Sequence, residues 1–246
     1  MILVVHIGGS RMKWGLAGPR GWVAQGVVAN AEIGTLVLRE WQNLARPSRA
    51  LGVNAAGEAQ RVRVEAQLAR WRVPMRWIVP ADEAGGVVNR YEEPATLSPA
   101  RWASLVAARR RALADDAVPR ARVVVGAGTI ITVDALDLDG SFRGGIAMPG
   151  LNAMQKALGE ASPAWRRLRG QWSDFPANNA DAAATGVLAA ATGAIEQVRE
   201  RLRREDAPVP CLVTGGAADE LARHLAAPVE VVDNLVLEGA LALADA

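Results

Sequence analysis

Two strand–turn–strand segments of the same design open the two halves of this 246-residue chain, LVVHIGGSRMKWGLA at Leu3–Ala17 and VVVGAGTIITVDAL at Val123–Leu136. Each is an apolar run, a glycine-containing turn and a second apolar run, and so predicts a β-hairpin. A matched hairpin at the head of each half implies an internal duplication.

The rest of the pattern agrees with two copies. Strands are expected at Ile2–Val5, Met12–Ala17 and Trp22–Val28, a helix over Glu32–Leu44, a strand at Arg49–Val53, a helix over Glu58–Trp71 and a strand at Met75–Val79. Ala81–Pro99 has no clear period and carries Gly85, Gly86, Pro94 and Pro99, so it reads as a loop over a site. Pro99 then opens a helix to about Ala114, where its missing N–H costs little. From Arg122 the pattern restarts: strands at Val123–Val125, Ile130–Leu136 and Ser141–Met148, helices from Leu151 and over Ala180–Arg203, then strand Pro210–Thr214, helix Ala217–Leu225, strand Val229–Val232 and helix Asn234–Ala244. The fold class is α/β, in two tandem βββαβαβα lobes at residues 1–115 and 116–246.

Composition narrows the classes. The chain is half apolar, enough for one large domain or two lobes of roughly 110–130 residues. Mean hydropathy is only +0.08, and no apolar run approaches the ~20 residues that span a bilayer. The N-terminus lacks a basic segment ahead of a long apolar one, so it reads as a buried strand and not a signal peptide. Cys211 is the only cysteine, which excludes an internal disulfide and fits a reducing cytoplasm; its setting, PVPCLVTGG, reads as a buried strand. Lys13 and Lys156 are the only lysines. The arginine clusters at Arg109–Arg111, Arg166–Arg169 and Arg199–Arg204 read as solvated helix faces, since a net charge of +2 and no reader motif argue against a nucleic-acid partner.

Three glycine turns carry the chemistry. Gly8, Gly9 and Ser10 form the first, Gly128 with Thr129 the second, and Thr214, Gly215 and Gly216 the third. Glycine lets backbone N–H groups approach a phosphate, and Lys13 just beyond the first turn can pair with one. Any one of these turns alone is ordinary chain reversal. The matched set points to a nucleotide site.

The stretches IGGSRMKW, NRYEEPATLSPARW, GAGTIITVDA, GSFRGGIAMPGL, TGGAADEL and DNLVLEGAL, in this order and spacing, resemble the type III pantothenate kinases, also called the Bvg accessory factor family, of the actin–hexokinase superfamily. The resemblance implies two ribonuclease-H-like lobes with a cleft between them, a homodimer, and transfer of the ATP γ-phosphate to pantothenate, the first step of coenzyme A synthesis, with Mg²⁺ and a monovalent cation. It carries nucleotide-binding roles to Gly8, Gly9, Ser10, Lys13, Thr129, Gly215 and Gly216. Substrate-binding roles go to Tyr91, Ser98, Arg101 and Asn179, the last at the place of a Thr that reaches pantothenate across the dimer. Gly144, Gly145, Pro149 and Gly150 also match.

Three family acids are replaced. His6 stands where the first hairpin carries Asp, Gly126 where the second carries the cation-binding Asp, and Ala100 where the family has its general base. No catalytic residue is therefore retained at these positions, and no metal ligand. His6 is a poor Mg²⁺ ligand and reads as a buried or turn-bonded histidine; His224, near Arg223, reads as a surface residue. Asp134, Glu92 and Glu93 are the candidates for a relocated acid. Three readings follow: a catalytically degenerate homologue (a pseudoenzyme) in which ATP and pantothenate bind weakly, a functioning kinase of pantothenate or a related alcohol with a relocated acid, and a non-enzymatic regulatory protein whose contact surfaces would be the arginine clusters and an exposed Trp165–Trp172 segment. The Ala-rich helix at Ala180–Arg203 is the candidate dimer interface.

Overall fold

A computed structural model describes residues 1–115, 120–166, 169–204 and 207–244. The chain divides into two compact units, Met1–Ala117 with Asn234–Ala246, and Val118–Asp233.

In the first unit, β1 (Ile2–Ile7), β2 (Arg11–Gly18), β3 (Gly21–Ala29), β4 (Arg49–Asn54) and β5 (Met75–Trp77) form a sheet in the order β3-β2-β1-β4-β5. β1 and β2 pair antiparallel, His6 opposite Lys13, while β4 runs parallel to both β1 and β5. One core holds Leu3, Val5 and Ile7 with Trp14, Trp41 and Trp71, together with Val64 and Leu68 of α1 (Glu58–Leu68). Trp14 meets Trp41 edge-on at 6.1 Å between ring centroids, a favoured aromatic geometry. The strand glycines make room for these rings: a Cβ on Gly15 would fall 2.6 Å from Trp22, and one on Gly26 2.6 Å from Trp14.

The expected helix Glu32–Leu44 is a 3₁₀ helix, Asn30–Leu38, followed by turns. Gly34 and the β-branched Ile33, Thr35 and Val37 disfavour a regular α-helix there. The expected loop Ala81–Pro99 contains a hairpin, β6 (Glu83–Ala84) and β7 (Val87–Asn89), turned through Gly85 and Gly86 at positive φ. α2 (Pro99–Asp115) follows as read.

In the second unit, β8 (Arg122–Ala127), β9 (Ile130–Leu136) and β10 (Ser141–Pro149) form the antiparallel meander, and β11 (Cys211–Thr214) and β12 (Val229–Val231) extend it in parallel from β8. α3 (Leu151–Ala161), α4 (Asn179–Leu202) and the short α5 (Ala218–Ala222) complete it. Val123, Val125, Ile131, Val133 and Val213 of the sheet pack against Ala191, Ile195 and Val198 of α4.

The last helix, α6 (Leu235–Ala242), was expected to close the second lobe. It packs instead with the first unit, against α2, β1 and β4. The cause is local. Gly239 lies so close to α2 that a Cβ there would fall on the Ala103 carbonyl. Arg111 Nε and Nη2 grip Glu238 at 2.9 and 3.0 Å, and Arg49 and Arg76 donate to the carbonyls of Ala244 and Leu243 at the helix end, where cations favour the exposed C=O groups. The other edge of the division expected from sequence, between 115 and 116, borders residues outside the described ones.

The arginine clusters are not uniformly solvated. Arg199 is 5% exposed and donates to the carbonyls of Val209 (3.1 and 2.8 Å) and Ala226 (2.5 Å) while pairing with Glu196 at 2.8 Å. It ties α4 to the segments flanking β11 and β12. Arg166 and Arg169 are exposed; residues 167 and 168 between them lie outside the described residues.

Candidate nucleotide and substrate sites

The first turn closes where β1 passes into β2. The Gly8 N–H donates to the Arg11 carbonyl at 2.9 Å, leaving Gly9 and Ser10 as an exposed two-residue tip. A Cβ on Gly8 would come within 3.2 Å of that carbonyl, a tight approach, and would stand at ordinary contact distance, 3.9 Å, from His6 Nε2. Asn30, which carries no sequence signal, tethers the tip: its Nδ2 donates to the Gly8 carbonyl (2.9 Å) and its backbone N–H to the Ser10 carbonyl (3.0 Å). Two turn carbonyls are thereby engaged.

His6 is partly buried at the end of β1. Its pKa is lowered to about 4, first by burial and then by the charge of Lys13 across the strand pair. The imidazole is neutral at physiological pH, and Arg11 and Lys13 are the basic side chains beside this turn. Above pH 6.5 His6 is neutral in both folded and unfolded chains and adds no pH dependence. Between 6.5 and 4 the unfolded chain binds a proton that the folded chain refuses, so stability falls by at most about 3 kcal/mol. We expect His6→Gln to lose less of its melting temperature than the parent chain as pH drops through this window; parallel curves would refute the assignment.

The pair read as substrate-binding is brought together in the first unit. Arg101 Nη1 donates to the Tyr91 hydroxyl at 2.8 Å, and its guanidinium lies 5.4 Å from the Tyr91 ring centroid. Asn89, 6% exposed, shapes the loop between them: its Nδ2 donates to the Pro94 carbonyl (3.2 Å) and its Oδ1 accepts from the Tyr91 N–H (3.2 Å). A polar residue ahead of Tyr91 in the NRY stretch was the available clue. The Ser98 carbonyl accepts from the Trp102 N–H at 3.0 Å, and Ala100 lies in the first turn of α2, partly buried.

In the second unit three glycine segments converge at the end of β8. Gly150 donates to the Thr129 carbonyl at 2.9 Å, and a Cβ on it would press on Thr129 O at 2.8 Å. Gly215, at φ +115, lies against Ala127, whose carbonyl a Cβ would approach to 2.5 Å and which accepts from the Ala217 N–H at 3.1 Å. The turn Gly128–Thr129, the start of α3 at Leu151 and the turn Gly215–Gly216 thus form one backbone-lined cradle. Gly126 is opposite Thr132, whose Oγ1 a Cβ would meet at 2.8 Å.

Asn179 is exposed at the first turn of α4. That turn is held by Asn178, whose side chain accepts from the Asp181 N–H at 3.0 Å, and by Asp181, whose carboxyl is held below its usual range chiefly by the Gln171 N–H. His224, read as a surface residue, stacks on Trp172 at 4.4 Å. Of the candidates for a relocated acid, Asp134 is 1% exposed in the middle strand, whereas Glu92 and Glu93 are exposed. Cys211 is buried and its thiol is pushed up to about 12 by that burial, so it stays protonated. A cleft of about 580 Å³ lined by Asp137, Arg143, Arg201 and Arg204 lies elsewhere in the second unit. It shares no residue with the glycine cradle.

No group of three or more His, Cys, Asp or Glu side chains suited to a metal ion occurs among the described residues. Divalent magnesium prefers oxygen ligands, and positions 6, 100 and 126 offer an imidazole, a methyl group and a hydrogen. The donor set does not fit Mg²⁺.

Residues 2–201 match the type III pantothenate kinase family. A type III pantothenate kinase from Leptothrix cholodnii is 40% identical over 252 residues, covering 98% of this chain and 95% of the relative. A Baf family protein from Campylobacter jejuni has a similar solved structure, with TM-score 0.62 and 18% identity over 96% of this chain and 94% of that one. The activator of 2-hydroxyisocaproyl-CoA dehydratase from Clostridium difficile, solved with bound ADPNP, shares the fold at TM-score 0.51 and 13% identity, over 99% and 93% of the two chains.

Proposed function

Because this chain belongs to the type III pantothenate kinase family, we propose that it is a degenerate member that keeps the backbone cradles for nucleotide and has lost most or all phosphotransfer to pantothenate. The family uses ATP and a metal ion. The observation that carries the reading is the side-chain chemistry at three positions: neutral His6, Ala100 and Gly126. A phosphoryl-transfer site works by positioning and charge; Ala100 and Gly126 can neither hold a cation nor accept the hydroxyl proton of the substrate, and His6, a poor Mg²⁺ ligand, is a weak base at its lowered pKa.

The retained residues divide the binding work. Gly8, Gly9, Ser10 and Lys13 in the first unit, and Thr129, Gly215 and Gly216 in the second, are the candidates for the nucleotide. Arg101, oriented by Tyr91, presents a guanidinium to a carboxylate such as that of pantothenate, and Ser98 and Asn179 are the further substrate candidates. Arg101 is fixed by its hydrogen bond, so less side-chain freedom is lost on binding. Assembly as a homodimer belongs to the same proposal.

A relocated acid has less support. Asp134 is enclosed by its sheet, and Glu92 and Glu93 stand in solvent, where nothing fixes the aim of a carboxylate. ADP release with ATP, Mg²⁺ and pantothenate tests the reading: kcat/KM is expected to lie at least about 10²-fold below that of the Leptothrix cholodnii relative. Equal rates would overturn it.

A further inference from the structure

The pairing of β10 with β9 slips by one residue near its start. Phe142 is opposite Leu136 and Gly144 opposite Ala135, so Arg143 stands between them as an extra residue. A bulge of this kind re-aims a side chain, and Gly144 permits it at φ +111. The Arg143 guanidinium comes within 3.6 Å of Asp137, the first residue beyond β9. From just past the end of α4, Arg204 Nη2 donates to both oxygens of the same carboxylate, at 3.1 and 2.9 Å.

The Asp137 side chain is 7% exposed, whereas those of Arg143 and Arg204 are each 62% exposed. A buried carboxylate stays charged only when it is paired, so Asp137 acts as an anchor that gathers guanidiniums from two separate elements at the mouth of the 580 Å³ cleft. Arg201, in the last turn of α4, lines the same cleft and has no acidic partner among the described residues. Among the lining residues, three guanidiniums against one carboxylate leave two positive charges uncompensated. The floor is apolar: Ile146, Val198 and Leu202 line it and belong to, or pack against, the core of this unit.

From three guanidiniums set around a buried carboxylate over an apolar floor, we propose that this cleft binds a small organic phosphate monoester. A phosphate monoester carries close to two negative charges at neutral pH, which matches the surplus, whereas a carboxylate carries one. Guanidiniums hold phosphate oxygens through paired N–H donors. The cleft has the volume of a small-molecule site, more than a bare phosphate fills, and its floor takes the apolar part of the ester. The site shares no residue with the glycine cradle and does not rest on the nucleotide-site reading.

Calorimetric titration of the full chain with phenyl phosphate, benzoate and inorganic phosphate tests it. Phenyl phosphate is expected to bind at least about fivefold more tightly than benzoate, which keeps the ring with a single charge, and than inorganic phosphate, which keeps the charge without the ring. Arg143→Gln and Arg201→Gln should each weaken phenyl phosphate binding about tenfold. Both should keep the parent melting temperature, because Asp137 retains its bonds from Arg204 in either variant. An unchanged Kd in both variants, or no binding of phenyl phosphate by the parent chain, would overturn the site. Benzoate or inorganic phosphate bound as tightly as phenyl phosphate would overturn the ligand class assigned to it.

Discussion

Asp restored together at positions 6, 100 and 126 is expected to raise kcat/KM for pantothenate phosphorylation by about 10²–10⁴ over the parent chain. The three sites differ in how readily they take the acid. Ala100 sits in the first turn of α2, where a carboxylate complements the helix dipole, so Ala100→Asp should leave stability unchanged or raise it by about 0.5 kcal/mol. At position 6 the new carboxylate would face Lys13 across the strand pair, and opposite charge at that distance keeps it ionised. Position 126 resists most: its Cβ would stand 2.8 Å from Thr132 Oγ1, so Asp enters only if Thr132 turns away.

The single variants should fall well short of the triple, because groups that act as a unit are not additive. Steady-state kinetics of all seven combinations, each checked for a native melt, measures this. A folded triple variant with no gain in rate would mean that something other than the acids was lost.

Gly239→Leu is expected to destabilise the first unit by at least about 3 kcal/mol, the upper range for overpacking. A Cβ at this position would land on the Ala103 carbonyl of α2, and two backbones in contact have no side-chain rotamer through which to relax. The neighbouring Arg111–Glu238 ion pair spans the same two helices and would be pulled apart with them. Gly193→Ala supplies the contrast. Gly193 lies on α4 with nothing within 4 Å of a built Cβ, so alanine should stabilise by up to about 1 kcal/mol. Urea denaturation of the two variants against the parent reads both signs, and similar midpoints for all three would refute the packing account.

Much of this was legible in the residues. The duplicated hairpins located both sheets because alternating apolar runs with glycine turns admit few other folds. The replaced acids at positions 6 and 126 stood out because each sits beside glycines that were kept, and the one at position 100 because Arg101 and Trp102 follow it unchanged. The hairpin through Gly85 and Gly86 was missed, since two-residue strands are too short for a period to register, although the Gly-Gly pair was the turn signal. Arg199 looked like its neighbours because burial of an arginine depends on which carbonyls converge on it, and those come from residues 209 and 226. The indole-on-glycine packing of the first sheet was likewise unreadable: Gly15 and Gly26 look like weak strand residues until the facing tryptophan is known. Asn30 carries no pattern of its own, and only the positions of the Gly8 and Ser10 carbonyls give it a task.

The docking of α6 with residues 1–117 has a consequence for how the polypeptide matures. A ribosome delivers 118–233 as one uninterrupted stretch, able to collapse as soon as it clears the exit tunnel. The opening half must wait, with part of its apolar sheet surface uncovered, until the closing segment is released to cap it. Chaperone engagement during synthesis should therefore concentrate on the earliest-made portion of the protein, and persist longest there.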